Sequence, residues 1–414
     1  MHGPSFPADP RSPLPPERPA AADPVPATER DRAGAHGAGD TRDPFFDNAK
    51  YLAIVLVAAA HAWEPFRDGS RAATALYLFV YTFHMPAFIV VSGYFSRDFD
   101  LGPRRVRRLI AGILVPYLVF EVAYAWFRRW ADGDPDYPVN VVDPQFLNWF
   151  LLALFLWRLT APLWRAVRWP VPIAVAAAVL SSVTPGIGPD LDLQRVLQFL
   201  PFFVLGLGLR PDHFARLRRP RVRAAALALG AGALGFAYWA APRLDWQWLY
   251  HRESAQELGV PPLVGAAMSL ALLGCSLALT ACFLAWVPRR RMWCTALGAG
   301  TLYGYLLHGF AVKGAVYRGW YAHAWLHTPA GMVAVTLLAA VLVTLLCTGP
   351  VRRALRWAVE PRLEWLFRPR PAAGDAAPGG TPGATPVGMH GAPYDPPRAE
   401  RPRGPDPGRT GPRG

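Results

Sequence analysis

Apolar residues dominate the middle of this chain in ten runs, near 49–66, 73–95, 109–127, 145–164, 169–184, 195–210, 223–241, 262–287, 295–317 and 330–349. Short polar loops separate them. A membrane crossing takes about 20 apolar residues, within a range of about 17–25, and the fifth and sixth runs sit at the short end. The pattern predicts an all-α polytopic integral membrane protein with about ten transmembrane helices and no separate soluble domain.

Charge orients the frame. Every even-numbered run exits into arginine: Arg97, Arg104, Arg105, Arg107 and Arg108 after the second, Arg165 and Arg168 after the fourth, six arginines between Arg210 and Arg223 after the sixth, Arg289 to Arg291 after the eighth, and Arg352, Arg353 and Arg356 after the tenth. Odd-numbered exits are mixed or acidic, as with Asp132, Asp134, Asp136 and Asp143. Basic loops stay on the cytoplasmic side, so both termini are expected in the cytoplasm. No internal repeat of the kind found in many transporters is visible.

The ends differ in composition. Residues 1–44, rich in Pro, Ala, Arg and Asp, and residues 369–414, rich in Pro, Gly and Arg, are expected to be disordered tails. Between them lie a ten-span membrane domain, 45–350, and a basic cytoplasmic segment, 351–368. No cleavable signal precedes the first run, which is expected to act as an uncleaved signal anchor. A cell-membrane (plasma or inner) multi-pass location follows.

The 414 residues are 52% hydrophobic and carry a formal net charge of +14. That charge does not indicate nucleic acid, because it recurs in alternate loops and forms no basic groove interleaved with aromatics. Lys50 and Lys313 are the two lysines among 43 basic residues. The arginine excess, with abundant Ala, Pro and Gly, reads as coding bias. Cys275, Cys282, Cys294 and Cys347 form no CxxC pair and read as small buried residues. No HxxxH, HExxH or Cys/His spacing calls for a metal.

Ionisable groups inside the spans carry the functional signal. His61 lies eleven residues beyond Lys50, roughly 16 Å along a helix and near the midplane of a core about 30 Å thick. His84, Glu121 and His308 fall at comparable depth on three other spans, which suggests one internal polar chamber. Such residues in a bilayer are costly and usually face a bundle interior or an aqueous cavity; the alternative is that each binds a neighbouring helix. Glu64 shares a helical face with His61 and is placed to orient its ring, or it is simply the polar residue that ends the span before Pro65. Pro86 permits a kink beside His84.

Taken in order, Phe46-Asp47-Asn48-Ala49-Lys50 with His61, Phe83-His84-Met85-Pro86 with Ser92-Gly93-Tyr94, the arginines before Pro116-Tyr117, Trp149-Phe150-Leu151 and Tyr305-Leu306-Leu307-His308 resemble the membrane-bound acyltransferase family 3, particularly its fucose 4-O-acetylase-like bacterial members. The resemblance covers about 44–350. It implies transfer of an acyl group from a cytoplasmic acyl-CoA, by default acetyl-CoA, to a hydroxyl of a sugar or glycan at or across the membrane. The family pattern of an arginine, ten intervening residues and the first-span histidine keeps its spacing here, with Lys50 in the arginine's place. Its Arg-x-x-Arg motif maps onto Arg104/Arg107 or Arg105/Arg108.

On this reading no cofactor is tightly bound, and the acyl-CoA phosphates lie at Arg104, Arg105, Arg107 and Arg108 and at Lys50. His61 serves as general base or as transient acyl carrier. His84 or His308 orients the acceptor or stabilises the oxyanion. Two other readings remain: a glycan or lipid-linked-sugar exporter that uses the histidines as a proton relay, and a non-catalytic assembly partner.

Overall fold

The computed structural model of the chain describes residues 43–363, together with Gly3, Trp365 and Leu366. Contacts divide the chain into Met1–Leu363 and Glu364–Gly414. In the second unit Trp365 and Leu366 are described, and both are exposed. The tails expected at 1–44 and 369–414 lie outside the described residues, apart from Gly3, Asp43 and Pro44.

Among the described residues every regular element is a helix. In order these are α1 (Pro44–Trp63), α2 (Arg71–Ser96), α3 (Pro103–Leu109), α4 (Val115–Ala131), α5 (Trp149–Ala166), α6 (Pro170–Ser182), α7 (Leu193–Gly208), α8 (Pro211–Leu217), α9 (Pro220–Ala240), α10 (Gln247–Tyr250), α11 (Pro262–Trp286), α12 (Thr301–Tyr317), α13 (Pro329–Leu346), α14 (Gly349–Ala354) and α15 (Arg356–Val359). A π-helical turn, Ile110–Leu114, joins α3 to α4, so Pro103–Ala131 runs as one helix. Each of the ten apolar runs holds a helix. Six are long and apolar enough to cross a membrane: α2, Pro103–Ala131, Asp190–Gly208 with α7, α9, α11 and α13. Helices α1, α5, α6 and α12 fall below that measure of length and apolarity.

Local chemistry sets the boundaries, and twice it moves them. The Asp43 carboxylate accepts the Phe45 N–H at 3.0 Å and Pro44 occupies the first turn, so α1 starts five residues before the first apolar run. Asp47, Asn48 and Lys50 therefore sit on the helix. Pro103 likewise opens α3 ahead of its apolar run, placing Arg104 to Arg108 on a helix rather than in a loop. The ninth run begins as a 3₁₀ turn, Thr295–Gly300, before α12.

Packing is centred on α1, α2, α7 and α12. Helices α2 and α7 cross at Gly93 and Gly206, where a Cβ on either glycine would strike backbone of the other helix. The Ser92-Gly93-Tyr94 segment is thus explained by close approach. Asn48, fully buried, donates to the carbonyls of Pro288 and Arg290 at 2.9 and 3.0 Å and accepts from Thr295 at 2.7 Å, pinning the 288–295 loop to α1.

The periphery is apolar. Leu227, Leu229 and Phe236 on α9, Leu263 on α11, and Leu337 and Leu338 on α13 are all exposed. An apolar exterior of this kind suits hydrocarbon and is unfavourable in water. Exposed tryptophans gather at helix ends and in adjoining loops: Trp130, Trp239, Trp320 and Trp325 at or beyond the ends of odd-numbered runs, and Trp169, Trp286 and Trp293 at or beyond the ends of even-numbered ones. Such belts mark membrane–water interfaces.

Candidate active site

Helices α1, α2 and α12 bring three predicted histidines together. His61 and His84 line one cavity of about 340 Å³, and His308 packs behind them with its ring centre 5.5 Å from that of His61. His84 and His308 are buried, at 2% and 0% exposure. Each is tied to the carbonyl one turn back: His84 Nδ1 to Val80 at 3.0 Å and His308 Nδ1 to Gly304 at 2.9 Å. A carbonyl only accepts, so Nδ1 carries a proton in both rings. His308 Nε2 is buried and has no hydrogen-bond partner.

His61 is held differently. Its Nδ1 lies 3.1 Å from the Tyr81 hydroxyl and 4.0 Å from Glu64 Oε2. The first is a hydrogen bond; the second is a close charge contact beyond hydrogen-bond range. Arg67 reaches the other Glu64 oxygen at 3.8 Å and is sandwiched between Tyr77 (4.6 Å) and Trp246 (4.0 Å), which fixes the carboxylate's side of the site.

The loop between α4 and α5 lines the cavity. Phe146 adopts φ 49°, a left-handed conformation that is unusual for a bulky residue, and its ring lies 4.8 Å from His61. Three buried groups hold this strained turn. Glu121 Oε1 accepts from the Gln145 backbone N–H at 2.6 Å and from Asn148 Nδ2 at 3.1 Å, and the Tyr305 hydroxyl donates to the Leu147 carbonyl. Glu121, expected in the polar chamber, does not line the cavity. The loop folds back over α4 and claims its carboxylate for backbone anchoring.

The cavity opens among residues of the odd-numbered loops: Arg128, Tyr137, Asp143 and Arg252 line it. Lys50, Arg104, Arg105, Arg107 and Arg108 do not. From Arg108 to Arg128 the continuous Pro103–Ala131 helix rises about 30 Å, so the arginine cluster and the cavity mouth lie at opposite ends of one element. Arg104 and Arg108 are exposed, and Arg105 contacts Asp100 at 3.3 Å. Lys50 pairs with Asp47 at 2.7 Å.

Sequence reasoning missed Tyr81, Phe146 and Lys313. Lys313, on α12, places its ammonium 4.3 Å over the Phe146 ring and lines the cavity. Its signal was available: it is one of two lysines in an arginine-rich chain, five residues after His308. Tyr81 precedes His84 by one turn. Phe146 gave no signal, because its importance lies in its backbone angle.

No solved structure matches this chain. One relative is nodulation protein NolL of Sinorhizobium fredii (strain NBRC 101917 / NGR234), 29% identical over 199 residues. That alignment covers 44% of this chain and 52% of NolL, so the chain spans about half the length of this relative. The model of the acyltransferase 3 family, described as an acyltransferase domain, matches residues 43–348, which takes in α1 to α13 and all three histidines. The chain belongs to the acyltransferase 3 family.

Proposed function

We propose that this protein is an O-acyltransferase of the cell membrane, moving an acetyl group from cytoplasmic acetyl-CoA to a hydroxyl of a sugar or glycan on the opposite face. The observation that carries this reading is the placing of His61 and His84, backed by His308, on a cavity whose mouth is a membrane's width from the arginine cluster. A charged CoA head stays with Arg104, Arg105, Arg107, Arg108 and Lys50, where planar guanidinium groups suit phosphate. The thin pantetheine arm brings the thioester inward.

His61 takes the acceptor's hydroxyl proton as oxygen attacks the thioester carbonyl carbon. The C–S bond breaks, and the proton passes to the departing CoA sulfur. Tyr81 and Glu64 both face Nδ1, which leaves Nε2 as the base. A hydroxyl fixing one ring nitrogen acts through orientation, so Tyr81→Phe is expected to lower kcat about tenfold with little change in either KM. Steady-state kinetics in both substrates check this. Attack by His61 itself, giving a transient acyl-histidine, is the other route through the same residue.

The test uses isolated membranes, radiolabelled acetyl-CoA and a glycan extract, following label into alkali-labile esters. Wild type should label the glycans. Two double variants, Arg104→Ala with Arg107→Ala and Arg105→Ala with Arg108→Ala, separate the two possible registers of the motif. The pair that holds the CoA phosphates should raise the acetyl-CoA KM by about tenfold to a hundredfold, as expected for lost charge-assisted hydrogen bonds. Absence of ester label from wild type across a broad acceptor panel would remove the reading.

A further inference from the structure

The cavity lining is basic: Arg128, Arg195, Arg252 and Lys313 stand against Glu64 and Asp143. The arginines are matched one by one. Arg195 meets Asp192 at 2.9 Å, Arg252 meets Asp143 at 3.1 Å, and Arg128 meets Asp132 at 3.6 Å, while Glu64 is engaged by Arg67 at 3.8 Å. Lys313 is the exception. Among the described residues no carboxylate oxygen lies within 4.0 Å of its ammonium, which rests 4.3 Å over the face of Phe146; the charge it acts on is that of Glu64, a single carboxylate shared with Arg67, so this corner holds one cation more than it has carboxylates. An ammonium that lines a cavity and shares its carboxylate with an arginine is a point charge open to a further anion.

Its placement defines which anion. Lys313 and His61 both rest against Phe146, so the gap between them is at most one phenyl ring wide. A pyranose spans a gap of that kind, with a hydroxyl at His61 and a ring substituent at Lys313. Aromatic walls from Tyr81, Trp149, Phe199 and Tyr250 suit the apolar faces of a sugar. The CoA phosphates are a poor match for Lys313, because the arginine cluster lies at the far end of the Pro103–Ala131 helix.

We propose that Lys313 binds a carboxylate or phosphate group of the acceptor, so that the acceptor is an acidic sugar residue rather than a neutral one. This rests on the acyltransferase reading for the word acceptor, and on the cavity alone for the binding site.

Two measurements test it on the purified, detergent-solubilised protein. In the first, binding of methyl glucuronide, glucose 6-phosphate and methyl glucoside is measured by calorimetry. At least one anionic sugar should bind about tenfold more tightly than methyl glucoside, and which one it is separates carboxylate from phosphate. Lys313→Met, which keeps the stem and removes the charge, should erase that preference, and Lys313→Arg should restore most of it. In the second, glycans labelled from acetyl-CoA are split by anion exchange. Label should enter the retained fraction, and Lys313→Met should lower the retained-to-unretained ratio about tenfold. Equal or undetectable binding of all three sugars by wild type overturns the proposal, as does a preference that survives Lys313→Met. A Lys313-dependent preference without acetyl transfer leaves this site standing and removes the acyltransferase reading.

Discussion

Replacing His61 with alanine is expected to lower acetyl transfer about a thousandfold at unchanged abundance, within the range typical of removing a positioned base. His61 is the histidine of the three whose Nδ1 meets a hydroxyl and a carboxylate rather than a helix carbonyl. His84→Ala and His308→Ala should cost less in chemistry and more in folding, because each also frees a buried carbonyl. Matched membranes with the protein quantified by immunoblot check this ordering. Transfer that survives His61→Ala at near wild-type rate would move the base to another ring. His61→Gln separates the two chemical routes further: trapped acetyl on His61 of the wild type, absent from the variant, favours the acyl-histidine.

The largest structural effect is expected at the α2–α7 crossing. Gly93→Leu should destabilise the protein by about 3 kcal/mol or more and leave little folded material, since a side chain there meets the Phe203 carbonyl rather than a yielding side chain. Gly206→Leu should do the same against the Val90 carbonyl. Exposed positions on the same helices give the comparison: Phe95→Leu should be close to neutral. Size-exclusion profiles and thermal unfolding in detergent provide the readout. A well-folded Gly93→Leu protein with an unchanged melting temperature would mean that the two helices do not touch there.

How far the sequence could be read follows from which physical features are local. Apolar runs and exit arginines are local, and all ten runs hold helices. The histidines were legible because polar groups in apolar runs stand out one residue at a time. Helix starts were less so: Asp43-Pro44 and Pro103 extend α1 and α3 beyond their apolar stretches, because capping acts where hydropathy is silent. Glu121 was misplaced for a related reason. Its place on the third run was legible, but its partners Gln145 and Asn148 come from a loop whose path no helical period encodes. Asn48 shows the same limit, since a motif residue beside Lys50 turned out to hold a loop some 240 positions later. Lys313 needed only attention to rarity, whereas the Phe146 turn needed coordinates.

The π-helical turn at Ile110–Leu114 bears on how the two ends of this protein are matched. An extra residue in a helical ring shifts everything beyond it by about 100° around the axis relative to an unbroken α-helix. The arginines of α3 lie before that shift, and Tyr117, Glu121, Tyr124 and Arg128 on α4 lie after it. The rotational phase between these two groups is therefore set at five apolar residues that touch neither end. It lets one rod present arginine at one end while aiming Glu121 at the loop that carries Phe146. Conversion of that turn to a regular α-helix would rotate the two faces out of register without altering a residue in either.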